Sequence, residues 1–150
     1  MPLDHIYGLL GRGRGRTMRH VEIDYAAVYE DTRLRLVELI RSLSDEDLAR
    51  SVPAAPDWSV KDLLAHFVGV AEDVSKGNIE GTGSEPWTQA QVERGRSRTV
   101  EDLLAQWDEL ANGISQGINF MPRTAASLLI GDLITHEHDL RELQVRTPKP

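Results

Sequence analysis

Apolar residues recur at helical spacing along most of the chain. Val28, Leu36, Leu39, Ile40 and Leu43 mark one face of a helix predicted from about Asp24 to Leu43, with Arg33, Arg35 and Arg41 between them. Ser44-Asp45-Glu46-Asp47 then reads as a break and a fresh helical start, and Asp47 is placed to complete a capping box with Ser44. Pro53 and Pro56 punctuate a loop. Beyond it, Ser59 is a good N-cap and Asp62 suits the helix N-terminus. The helix they open carries Val60, Leu63, Leu64, Phe67, Val70, Ala71 and Val74, and Lys76-Gly77 supplies its stop.

The glycine-rich stretch over 77–86 predicts a loop ending at Pro86, followed by a short helix from Trp87 to Arg96. Thr99-Val100-Glu101-Asp102 opens another helix through Leu103, Leu104, Trp107, Leu110 and Ile114, with Gly113 and Gly117 weakening its end. Pro122 fits the first position of a last helix running from about Arg123 to Leu143. No alternating valine- or isoleucine-rich run predicts a sheet, and there is no internal repeat of solenoid length. The expected fold class is all-α, with four main helices packed as an antiparallel-style bundle.

Polar residues interrupt two of the apolar faces. In the last helix Ala125, Leu128, Leu129, Asp132, Leu133, His136, Leu140 and Leu143 advance by three and four, so Asp132 and His136 fall on the stripe expected to be buried. A buried carboxylate needs a cation or a strong donor. At i and i+4 the two side chains project alike, the spacing by which one helix offers two ligands to one ion. His66, between Leu63 and Val70, sits on or beside the apolar face of the second predicted main helix. Two histidines and a carboxylate suit zinc, iron, nickel or manganese, and three protein ligands leave room for water or substrate.

A plainer reading makes His66 a hydrogen-bonded core histidine and pairs Asp132 with His136 or with an arginine. Around this cluster, Glu137 and His138 are rotated off the stripe by about 100° and 200° and are expected at solvent or a site rim. Asp139 either orients the His136 imidazole or is a solvated surface residue. Arg141 suits the helix C-terminal dipole, or binds an anionic substrate. Trp58, Trp87 and Trp107 are expected mainly as packing residues.

Composition narrows the chemistry. The 150 residues carry a formal net charge of −7, which disfavours phosphate recognition by the chain as a whole. The contrast is Gly11-Arg12-Gly13-Arg14-Gly15-Arg16, readable as an RNA-contacting arm or, as expected here, as part of a disordered basic extension over residues 1–20 ahead of a bundle over 21–146. The same segment lacks the apolar run of a signal peptide, so a cytoplasmic protein is expected. No apolar stretch reaches the roughly 18 residues of a membrane span. There is no cysteine, so any thiol taking part in chemistry must arrive on another molecule.

Trp58-Ser59-Val60-Lys61-Asp62-Leu63-Leu64-Ala65-His66, with the distant Asp132-Leu133-Ile134-Thr135-His136-Glu137-His138-Asp139-Leu140-Arg141, resembles the DinB-like superfamily. More narrowly, the chain is similar over about 24–143 to the metal-binding N-terminal domain of mycothiol-dependent maleylpyruvate isomerases. The resemblance implies a four-helix bundle that holds a divalent metal with His66, Asp132 and His136, zinc foremost. The isomerases use glutamate at the place of Asp132, and other relatives use histidine. The resemblance also implies mycothiol or a similar low-molecular-weight thiol as cosubstrate, and a possible homodimer. The isomerases carry a further C-terminal domain, whereas this sequence ends at Pro150, so maleylpyruvate itself is not the expected substrate. The expected function is a metal-dependent thiol transferase or isomerase acting on a small electrophile. The competing expectation is a non-catalytic bundle that binds metal or a partner.

Overall fold

The computed structural model describes residues 22–145, which form six helices and one two-stranded sheet. The extension expected over residues 1–20 lies outside the described residues. Four long helices, α1 (Tyr25–Arg41), α3 (Val60–Lys76), α5 (Val100–Ile118) and α6 (Arg123–Val145), build the all-α bundle. Two short helices, α2 (Asp45–Leu48) and α4 (Glu85–Gly95), lie on the connections.

The helix starts follow the capping chemistry of the sequence. The Ser59 hydroxyl accepts from the Asp62 N–H at 3.0 Å while the Asp62 carboxylate accepts from the Ser59 N–H at 2.9 Å. Ser44 and Asp47 repeat this box at α2, and Thr99 caps α5 through the Asp102 N–H. Each such cap is worth about 1 kcal/mol. Gly77 ends α3 in the left-handed conformation at φ 72°, which an L side chain rarely adopts. Pro86 is not the end of the preceding loop but stands inside the first turn of α4, where its missing N–H costs nothing. Pro122 lies just before α6 and accepts the first helical bond from the Ala126 N–H.

A small antiparallel hairpin, β1 (Ser51–Val52) with β2 (Ala55–Ser59), occupies the segment expected to be only a loop. It is too short and too rich in proline to show alternation. Nor is the bundle antiparallel throughout. Tyr25 meets Ser127, Arg35 meets Glu137 and Ser42 meets Gln144, all with one constant offset, so α1 and α6 run parallel. Asp24 meets Asn119 while Tyr29 meets Trp107, so α5 runs against α1. Lys61 and Asp62 at the start of α3 meet Arg96, just ahead of α5, so α3 runs with α5. Helix α4 lies back along α3 and makes that crossover possible.

Neighbouring helices pack α6 on α1, α1 on α5, and α5 on α3, with α4 on the outer side of α3. Tyr29, Leu36, Ile40, Leu63, Phe67, Leu103, Trp107 and Leu140 are essentially inaccessible. Phe67 stacks on Trp107 with ring centres 5.4 Å apart, and the Trp107 N–H donates to the Tyr29 hydroxyl at 3.1 Å. The buried face of α6 runs through Ala126, Ile130, Leu133, Glu137, Leu140 and Leu143, one position away from the expected stripe at its start. Ala125 and Leu128 therefore face solvent, whereas Asp132 and His136 lie along one edge of the packed face. Glu137, expected at solvent or a rim, is buried instead.

Candidate metal centre

His66, on α3, and Asp132 and His136, on α6, face each other where α3 approaches α6. One ligand atom of each lies within 4.8 Å of the other two. His66 Nε2 is 3.0 Å from Asp132 Oδ2, and His136 Nε2 is 3.4 Å from Asp132 Oδ1. His66 is buried, at 3% of its full exposure. The Asp132 side chain keeps 40% of its exposure and is the side from which a ligand would enter. Trp58 and Phe67 flank the imidazoles, with ring centres 5.3 Å from His66 and 5.8 Å from His136 respectively.

Hydrogen bonding behind the cluster fixes which atoms face inward. His136 Nδ1 lies 3.1 Å from the Asp139 carboxylate, which can only accept, so this nitrogen carries the proton. His66 Nδ1 lies 2.9 Å from Gln91 Oε1, also an acceptor. Both neutral imidazoles then aim an Nε2 lone pair at Asp132. Three acceptors converge with no donor among them. Only positive charge reconciles them, either as a cation or as extra protons on the rings. With those extra ring protons in place, burial raises the Asp132 pKa, but hydrogen bonds from His136 and His66 outweigh it and hold the carboxyl well below its ordinary range. Burial lowers the His136 pKa, and the hydrogen bond and charge of Asp132, helped by Asp139, outweigh it and raise the pKa overall.

Of the surrounding residues, Asp139 takes the orienting position and His138 is exposed. Glu137 receives two bonds from Arg35, both at 2.9 Å, and two from Arg141, at 2.7 and 3.1 Å. Arg141 is therefore engaged with Glu137, one turn back on its own helix. Sequence reasoning missed Gln91 and Asp73. Asp73 follows His66 and Val70 at helical spacing on the buried face of α3, a signal that was present. Gln91, on a short and mostly polar helix, gave none.

The family model of the mycothiol maleylpyruvate isomerase N-terminal domain matches residues 29–145. No curated protein and no solved structure matches the chain. No helix among the described residues is long and apolar enough to cross a membrane.

Proposed function

The chain belongs to the mycothiol maleylpyruvate isomerase N-terminal domain family, and from that premise we propose that it is a divalent-metal-dependent thiol transferase or isomerase acting on a small electrophile. His66, Asp132 and His136 hold the ion, with zinc the best match to two imidazoles and one carboxylate. The observation that carries this reading is the convergence of three acceptor atoms, within 4.8 Å, whose donors are engaged elsewhere.

The donor set fits a catalytic rather than a closed structural centre, because three protein ligands leave a position open. A metal held there would supply Lewis acidity, lowering the pKa of an incoming thiol enough to make it a nucleophile at neutral pH. The rest falls to the chain. Asp139 and Gln91 orient the two imidazoles. Trp58 and Phe67 exclude water from the buried side. The accessible Asp132 edge admits the thiol and its electrophilic partner. The chain has no cysteine to occupy that position itself. A mycothiol-type cosubstrate, a cytoplasmic location and a homodimer belong to the same proposal.

Elemental analysis of untagged protein purified without chelator tests it. About one zinc per chain is expected, lost in His136→Ala and in Asp132→Ala. Cobalt-loaded protein should develop a sulfur-to-metal absorption band on adding a low-molecular-weight thiol. Full metal content in His136→Ala would sink the ligand assignment. A cobalt protein blind to every thiol would leave a metal-binding module without the chemistry.

A further inference from the structure

Behind His66 stands a buried polar chain reaching away from the metal centre. Gln91 is 1% exposed and Asp73 is 3% exposed. Gln91 Oε1 faces His66 Nδ1 at 2.9 Å, and Gln91 Nε2 donates to Asp73 Oδ2 at 2.8 Å. The other Asp73 oxygen accepts from Arg94 at 2.9 Å and from Asn78 at 3.0 Å. No buried side-chain nitrogen or oxygen among the described residues lacks a partner.

An amide has two ends, and which end meets the imidazole decides the tautomer. Asp73, flanked by Arg94, is an acceptor, so it claims the Gln91 NH2 group. The Gln91 oxygen is left for His66, and an acceptor at Nδ1 puts the proton there. The Nε2 lone pair then points at the Asp132 side. Reversing the amide would set two N–H donors against each other at His66 or force the proton onto Nε2, where no cation could be coordinated.

The backbone is shaped to bring Gln91 this close. A Cβ on Gly69 would lie 2.4 Å from Gln91 Cβ, and a Cβ on Gly95 would lie 2.4 Å from Ala65 Cβ. Helix α4 therefore touches α3 at two glycines, one on each helix, and the first contact is at Gln91 itself.

We propose that Gln91 is a positioning residue whose amide, polarised by Asp73, holds His66 in the Nδ1–H tautomer and so presents Nε2 to the ion. This role presupposes the metal centre proposed above, but its effect on the imidazole is measurable without metal. Three variants test it: Gln91→Met, which removes the acceptor; Asp73→Asn, which frees the amide to turn; and the double variant Gln91→Glu with Asp73→Asn. In the double variant the amide introduced at position 73 can donate to the carboxylate introduced at position 91, which again accepts from His66 Nδ1. Zinc affinity, read by competition with a chromophoric chelator, should fall about 10- to 100-fold in each single variant and return to within about threefold of the parent in the double one. Nitrogen-proton correlation spectra of the metal-free parent at alkaline pH should show His66 protonated at Nδ1, with Nε2–H appearing in Asp73→Asn. Parent-like zinc affinity in both folded single variants would overturn the proposal, as would a double variant no better than the singles. If the parent protein retains no zinc, the metal reading fails, and the tautomer spectrum alone decides the role of Gln91: Nε2–H in the parent would refute it.

Discussion

Glu137 ties two helices through one carboxylate. It is nearly buried, at 9% side-chain exposure, and it grips Arg35 of α1 and Arg141 of its own helix. The Arg35 hydrogen bond, opposed by burial and reinforced by Arg141, pulls its pKa from 4.5 down to about 2. A depressed carboxylate contributes stability that is present above its unfolded pKa and is lost as pH falls through the folded one. Glu137→Gln should therefore lower stability at neutral pH by about 1–3 kcal/mol in urea titrations. Its unfolding free energy should also change less than the parent's between pH 4.5 and about 2. An unchanged acid profile would disprove the role. In the core, Tyr29→Phe removes the acceptor of the buried Trp107 N–H. Chemical denaturation should show a loss of about 1–3 kcal/mol, far more than one exposed hydroxyl warrants. Sequence alone singled out His66, Asp132 and His136, which the structure brings within 4.8 Å of one another, because polar groups on apolar stripes are conspicuous. It misplaced Glu137 because the first half of α6 is apolar nearly all round, with Ala125, Ala126, Leu128, Leu129 and Ile130 in close succession. Periodicity there did not single out a face.

Helix α4 depends on surfaces that nothing in its own pattern advertises. Gly69→Ala would set two Cβ atoms at 2.4 Å, an overlap that only a shift of the helix can relieve. The gain in helix propensity, about 1 kcal/mol, is smaller than the usual penalty of about 1–3 kcal/mol for overpacking. A net loss of stability is expected, with faster amide exchange across α4 than across α1. Equal protection of α4 in parent and variant would count against the tight dock. The long helices and their caps were legible, since serine or threonine followed by aspartate three residues on is a local signal. Helix direction was not. It is set by the length of the α3 to α5 connection and by α4 folding back along α3, which are matters of tertiary packing. The hairpin was also invisible, because Pro53 and Pro56 mask so brief a pairing.

At the scale of the whole bundle, α3 and α6 are less intimately packed on each other than the pairs α6–α1, α1–α5 and α5–α3. The three acceptors span that seam, so a cation held by them would fasten two walls that otherwise meet loosely. A ligand at a hundredfold excess over its Kd adds about 2.7 kcal/mol to stability, which in a domain of this size raises Tm by about 5–10 °C. Calorimetry of zinc-loaded against chelator-treated protein should show such a rise, and His136→Ala should erase it. Identical melting of the two forms would argue against the bridge. The all-α class was read correctly from sequence, and the one residue of α3 and two of α6 that the sequence singled out stand together in the structure. The parallel run of α1 beside α6 was not. Because His66 and Asp132 meet across 66 positions of chain, the two halves of the centre leave the ribosome at different times. A nascent polypeptide that has emerged only through α5 holds His66 but neither Asp132 nor His136. On the proposed ligand set, durable ion retention would begin only once α6 has been synthesised and docked, and zinc uptake during translation would time the completion of the fold.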